Sequence, residues 1–288
     1  GGLAVVDGLA YGTMPELAQR EGRRLRLAAL VHHPLAAESG LSPDTAEALR
    51  RSETQALAQA RLVLVTSQAT ARLLQDYGVR PSRVRVVEPG TDPAPRAHGS
   101  PTGLPGMPRI LCVAALVPRK GHDLLLQALT RVLELPWHLD CVGSLDRDPA
   151  WAQELARLRE RLGLGARVIF RGAVPELELA RCYARADAFI LATRFEGYGM
   201  VLAEALAWGL PILATRCSAV IQTVPAEAGI LVPPEDPDAL GNALRALLVD
   251  TSLRRRCAAG ARRAGRRLPT WGQVTAAFAA ACEEVLHG

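Results

Sequence analysis

The 288-residue chain predicts an α/β fold of two parallel-sheet domains. Three observations predict it. Short apolar runs recur along the chain and are continuous rather than alternating, the pattern of strands covered on both faces. Segments of helical period separate them, and strand–helix–strand repetition implies parallel pairing through right-handed crossovers. One stretch rich in proline and glycine, DPAPRAHGSPTGLPGMP from Asp92 to Pro108, breaks the pattern as an inter-domain linker would.

The strands are read in order. AVVDG (Ala4–Gly8), LAALV (Leu27–Val31), RLVLVTS (Arg61–Ser67) and RVRVVEPG (Arg83–Gly90) precede the linker. RILCVAAL (Arg109–Leu116), HLDCVGS (His138–Ser144), RVIFRG (Arg167–Gly172), AFILATR (Ala188–Arg194), PILAT (Pro211–Thr215) and GILVPP (Gly229–Pro234) follow it. Helices are predicted over Pro43–Ala60, Ala69–Tyr77, Asp123–Leu133, Trp151–Leu162, Leu177–Arg185, Met200–Ala207 and Pro237–Leu248. Gly78 fits a C-cap. A final helix, Trp271–Leu286, is apolar at Val274, Ala277, Phe278, Ala281 and Val285. The expected organisation is a partial N-terminal domain (1–92), a linker (93–108), a C-terminal domain (109–268) and a last helix (269–288) packing back toward the N-terminal domain.

The net charge of +5 suits anionic small molecules, anionic lipid surfaces or nucleic acid without choosing among them. The run LRRRCAAGARRAGRRL (Leu253–Leu268) reads as a solvated helix, with an anionic membrane surface as the alternative contact. No aromatic residue is interleaved with it to stack bases, which argues against nucleic acid. The longest apolar run, Ile110–Val117, is strand-sized, far short of the ~18 residues of a membrane span. No signal peptide is evident, so a cytoplasmic place is expected, with the inner membrane face as a peripheral site. The chain does not open on Met, as a fragment of something longer would not. Six cysteines are scattered without C-x-x-C spacing and read as reduced buried thiols, with no zinc site.

RFEGYGMVLAEALAWGLP, from Arg194 to Pro211, carries the chemistry. Glu196 follows a strand and precedes Gly197-Tyr198-Gly199; Glu204 lies within an otherwise apolar helix. An unpartnered buried carboxylate costs several kcal/mol (roughly 2–7 for a polar group). Either a distant Arg or the helix rim explains Glu204, or its partner is a ligand diol, as ribose is for the acidic residue of dinucleotide folds. Strand-end glycines admit a ligand to the backbone, and helix N-terminal amides bind anionic oxygens.

FEGYGMVLAEALAWGLPI resembles the Glu–seven residues–Glu signature of retaining GT-B glycosyltransferases, glycosyltransferase family 4 in particular. VPRKGHDLLLQAL (Val117–Leu129), GAVPELELARCYARADAFI (Gly172–Ile190), GILVPPEDPDALGNAL (Gly229–Leu244) and VVEPGTDP (Val86–Pro93) match further segments in order. The resemblance implies two Rossmann-like domains, the N-terminal one shortened, and hexose transfer from a UDP- or GDP-linked sugar to an unknown acceptor such as a glycan, lipid or small molecule. It implies that Glu204 binds the donor ribose and that Glu196 contacts the sugar hydroxyls. Gly197, Tyr198, Gly199 and Met200 would cradle sugar and diphosphate, and Lys120 would neutralise the diphosphate. A histidine of LAALVHHPLAAESG would reach the donor sugar: His33, with His32 as the alternative; Glu38 is a further cleft candidate. No metal or other cofactor is expected. The family pattern usually has a Gly-Arg pair where this chain has Ala114-Ala115, which leaves the diphosphate one cation short. Arg119 or Arg194 is the expected substitute. With that Arg missing and the N-terminal domain short, a nucleotide-sugar-binding module without turnover is the alternative reading. An epimerase or phosphorylase on the same fold explains fewer of the matches.

Overall fold

The computed structural model describes residues 1–38, 40–99 and 107–287. Residues 100–106 of the expected linker, Ser39 and Gly288 lie outside the described residues. The strands are Leu3–Asp7 (β1), Arg26–Val31 (β2), Leu62–Val65 (β3), Val84–Val86 (β4), Arg109–Val113 (β5), His138–Val142 (β6), Val168–Gly172 (β7), Ala188–Leu191 (β8), Ile212–Thr215 (β9) and Gly229–Val232 (β10). The helices are Gly8–Tyr11 (α1), Pro15–Glu21 (α2), Pro43–Leu57 (α3), Gln68–Leu73 (α4), His122–Leu129 (α5), Pro149–Arg161 (α6), Glu176–Arg185 (α7), Met200–Ala207 (α8), Val220–Thr223 (α9), Pro237–Val249 (α10), Thr251–Gly265 (α11) and Trp271–His287 (α12). The short helices α1, α2 and α9 have too few turns to show a period, and the sequence reading passed over them.

The chain divides into two compact units: residues 1–90, 196–198 and 269–288, and residues 91–195 and 199–268. In the first, β1-β2-β3-β4 form a parallel sheet in chain order. Its central strands explain why their sequences do not alternate. Leu27, Ala29 and Val31 pack with Ala56, Leu57 and Leu74 on one face. Ala28 and Leu64 pack on the other face in a cluster that includes Ala281 of α12, with Val274, Phe278 and Val285 against it. Both faces of β2 and β3 are therefore dry, and every position from Leu27 onward in β2, and all of β3, is apolar. Arg26 ties the C-terminal end of α12 by donating to the carbonyls of Val285 (2.8 Å) and Leu286, where a cation also meets the negative end of the helix dipole.

In the second unit six parallel strands run in the order β10-β9-β8-β5-β6-β7. Counted from β5, this is 3-2-1-4-5-6 reversed, the doubly wound order, and the strand order reverses between β5 and β8. Helix starts follow local chemistry. Asp148, Asp236 and Asp250 each accept a hydrogen bond from a first-turn amide, and proline follows the first two at the start of the helix. The basic helix α11 is not solvated all round: Cys257, Gly260 and Ala261 form a buried face, and Arg254 donates to the Leu247 (2.6 Å) and Leu248 (2.8 Å) carbonyls of α10. Among the described residues no helix is long and apolar enough to cross a membrane.

Candidate functional site

In open parallel sheets, ligands bind beyond the carboxyl ends of the strands at the switch point. In the second unit that point is flanked by the segments leaving β5 and β8. The first forms a tight turn, Pro118–Lys120, ending at Gly121, whose φ is +65°. A Cβ on Gly121 would lie 1.9 Å from the Ala192 carbonyl oxygen, so only glycine allows this approach. The turn is stitched to the end of β8. The Arg119 carbonyl accepts from the Arg194 amide (2.8 Å) and the Thr193 hydroxyl (3.2 Å), and the Arg119 guanidinium donates to the Phe195 carbonyl (3.0 Å). Arg119 and Lys120 thus stand at the switch point, on a turn fixed from both sides.

Arg194, one of the two expected substitutes, is already paired within the fold. Its guanidinium makes a two-pronged pair with Asp123, 2.9 Å at each contact, and also meets Glu235 at 2.7 Å. Its charge is balanced within the fold, and these carboxylates push its pKa up further. Of the two expected substitutes, Arg119 is the one that the geometry leaves at the turn.

Gly199, with a φ of +89°, stands at the N-cap of helix α8, and no side chain caps the helix there. Its first-turn amides therefore lack a side-chain acceptor, the arrangement that anion binding uses. Leu202, Ala203, Ala205 and Leu206 form its buried face. Glu204 is not on that face. It is half-buried, beside the half-buried Val201, Ala207 and Trp208, while Met200 is exposed. It also has a partner that the sequence reading missed: the Tyr183 hydroxyl donates to Glu204 Oε2 at 2.8 Å. Tyr183 is held in place by stacking on Phe189 and Trp208, each with ring centroids 6.1 Å away. Burial raises the Glu204 pKa, opposed by the Tyr183 hydrogen bond and reinforced by the Asp92 charge. Within the fold the partner of Glu204 is a tyrosine rather than a distant arginine. Tyr183→Phe is expected to cost about 1 kcal/mol at pH 7, because the carboxylate loses its donor. The cost should shrink at acid pH, where Glu204 is protonated; urea unfolding at both pH values measures it.

The remaining candidates belong to the first unit. Glu196, 5% exposed, and Gly197 and Tyr198 group there with the β2–α3 segment. A Cβ on Gly197 would lie 2.3 Å from the His32 carbonyl oxygen, and the Gly197 carbonyl accepts from Thr70 at 3.4 Å. The two histidines differ. The His32 ring is half exposed and lies 3.4 Å from Asp7, whereas the His33 side chain is 18% exposed and lies 3.3 Å from Glu38.

Beneath His33 lies a residue that the sequence reading missed. Glu53 of α3 is 1% exposed. One carboxylate oxygen accepts from the Leu35 amide at 2.9 Å, and the other, Oε1, is buried without a hydrogen-bond partner. Burial raises its pKa to about 7, against the pull of the Leu35 amide and the His33 charge. The signal was present in SETQALAQA: Glu53 heads the stripe continued by Ala56, Leu57 and Ala60, all buried.

Comparison with known proteins agrees with this architecture. The family model for glycosyl transferases group 1 matches residues 107–250, and that for Glycosyltransferase Family 4 matches residues 8–95. The chain is 34% identical over 231 residues to a D-inositol 3-phosphate glycosyltransferase of Xylanimonas cellulosilytica, covering 75% of this chain and 55% of that protein. It therefore spans little more than half the length of that relative. Sucrose-phosphate synthase of Thermosynechococcus elongatus superposes with a TM-score of 0.85 at 24% identity, covering 99% of this chain and 74% of that one. HepE of Anabaena, solved with UDP and glucose, superposes with a TM-score of 0.80 at 21% identity, covering 96% and 76%. The doubly wound second unit, its switch-point turn and these matches together place the chain in glycosyltransferase family 4, with the GT-B fold.

Proposed function

We propose that this chain carries the donor chemistry of a retaining glycosyltransferase that moves a hexose from a UDP- or GDP-linked sugar to a hydroxyl of its acceptor. The observation that carries the reading is the switch-point turn of the second unit, which holds Arg119 and Lys120 at the carboxyl edge of β5. A diphosphate needs cations and amides there, and the uncapped start of α8 offers amides in the same unit. Lys120 neutralises the departing diphosphate, and Arg119 takes the place of the guanidinium absent at Ala115. Glu196 and the Gly197–Met200 backbone bind the sugar and phosphates, His33 lies by the donor sugar, and Glu204 binds the ribose. With Oε2 engaged by Tyr183, Oε1 is the oxygen that a ribose hydroxyl would use.

In the proposed step the bond from the anomeric carbon to the diphosphate oxygen breaks, and the electron pair leaves with the phosphate. The acceptor hydroxyl attacks from the face just vacated and passes its proton to the departing phosphate oxygen. The protein's work is electrostatic, since positive charge near the leaving group counts most in a site closed to water. The name of the Xylanimonas relative supports a small hydroxylated acceptor, and the basic charge of this chain suits one bearing phosphate.

Thermal-shift titration with UDP-glucose and GDP-mannose, paired with an assay for released nucleoside diphosphate, tests the reading. The expected result is a rise in melting temperature with one of the two donors and slow release of its diphosphate. No shift with either donor would remove the donor site. A shift without release, in the presence of a panel of acceptors, would reduce the chain to a binding module.

A further inference from the structure

Helix α5 begins with a residue that packing alone does not account for. Its buried stripe is His122, Leu125, Leu126 and Leu129, each about 1% exposed or less. The first place in such a stripe is normally apolar, because a buried imidazole must find hydrogen-bond partners. His122 Nδ1 is buried without one, and Nε2 faces the Cys112 sulfur at 3.8 Å. Cys112 lies on β5, opposite Cys141 of β6 in register. Both thiols are 1% exposed and free. Parallel strands in register present paired side chains on the same face, so the sheet itself sets the two sulfurs side by side. The three potential ligand atoms all lie within 4.8 Å of one another.

We propose that Cys112, His122 and Cys141 form a buried three-ligand site for one thiophilic divalent cation, zinc by charge. Zinc bonds of about 2.3 Å to sulfur and 2.0–2.1 Å to nitrogen put ligand atoms roughly 3.5–4 Å apart, close to the spacing already present. Charge selects the ion. Two thiolates and a neutral imidazole carry −2, which a +2 cation cancels, so the filled site is neutral in a dry core. Binding displaces the two thiol protons, which leave to solvent, and His122 ligates through Nε2 with its proton on Nδ1. The ion would join β5, β6 and the start of α5, one residue beyond Gly121, and so brace the turn that carries Lys120. This inference is independent of the donor reading, since it concerns side chains within the core of the second unit.

Because all three residues are buried, the metal is loaded during synthesis and folding. The test is metal analysis of the full chain purified without chelator from cells grown in zinc-supplemented medium, and again in cobalt-supplemented medium. The expected result is about one metal ion per chain, with cobalt–thiolate charge-transfer absorption in the cobalt form. Cys112→Ala and Cys141→Ala should each lower the content about tenfold, while Cys182→Ala, outside the cluster, should leave it unchanged. A folded wild-type chain with no metal from either medium, or without thiolate charge transfer, overturns the proposal even if the variants fail to fold. Retention of the metal in both Cys112→Ala and Cys141→Ala overturns it as well.

Discussion

Lys120→Ala is expected to lower kcat by about 10²–10³-fold, with a smaller change in KM, the size of effect seen when one stabiliser of transition-state charge is removed. In the proposed step negative charge on the diphosphate grows as the sugar leaves, so a cation at that oxygen is worth more in the transition state than in the ground state. The variant should still fold. The turn is held by the Arg119 carbonyl and guanidinium and by the close approach of Gly121 to β8, none of which uses the Lys120 side chain. Lys120→Arg restores the charge on a different head group and should recover part of the loss. Steady-state kinetics of diphosphate release decides the matter. A Lys120→Ala enzyme within about threefold of wild type in kcat would place the leaving group elsewhere.

The second large effect is on stability against pH, and it belongs to Glu53. Its carboxyl titrates near 7 in the folded chain, against an ordinary value of 4.5. The folded state therefore holds the proton more tightly than the unfolded state. That contribution is complete below about pH 4.5 and is lost as the pH rises toward 7, after which it is flat. A gap of about 2.5 units corresponds to roughly 3 kcal/mol. Other carboxylates move the opposite way. Asp140, for instance, is held below the usual range by hydrogen bonds from His138 and Arg171, which outweigh its burial. The informative quantity is thus the difference from Glu53→Gln, which cannot ionise and keeps an acceptor for the Leu35 amide. Relative to wild type, Glu53→Gln should gain about 3 kcal/mol between pH 4 and pH 8, measured by urea unfolding at each pH. A difference that stays constant across that range would mean that Glu53 titrates as an ordinary carboxyl. The residue matters for function through position. It anchors the Leu35 amide two residues beyond His33, so the segment carrying His33 is set from below by a buried carboxyl.

How much of this was legible beforehand follows from where the information lies. The central strands, such as β3, β8 and β9, stood out as continuous apolar runs because both their faces are covered; the others were legible as shorter or interrupted apolar runs. The turn at Lys120 and the loop after β8 were legible as short strings, since Lys-Gly and Glu-Gly-Tyr-Gly contain the residues that do the local work. Glu204 was only half legible. Its isolation among apolar residues raised the question, but its answer, Tyr183, comes from α7, and only packing of α7 beside α8 brings the hydroxyl within 2.8 Å. Arg194 stayed open as an alternative cation for a similar reason. Asp123 and Glu235, which bind it, lie 71 and 41 residues away along the chain.

By itself the sequence determined the fold class, the order of strands and helices, and the loops that meet at the switch point, because period, apolar runs and glycine positions act locally. Tertiary structure alone decided which polar groups are paired. Cys112 and Cys141 look unrelated when spacing is read along the chain, yet the parallel register of β5 and β6 makes them neighbours. His122 and Glu53 each look like one polar letter at the head of an apolar stripe, yet burial raises the Glu53 pKa to about 7 and leaves His122 Nδ1 without a hydrogen-bond partner. Electrostatic energy depends on distance and on water excluded in three dimensions, and neither quantity is written in the order of residues.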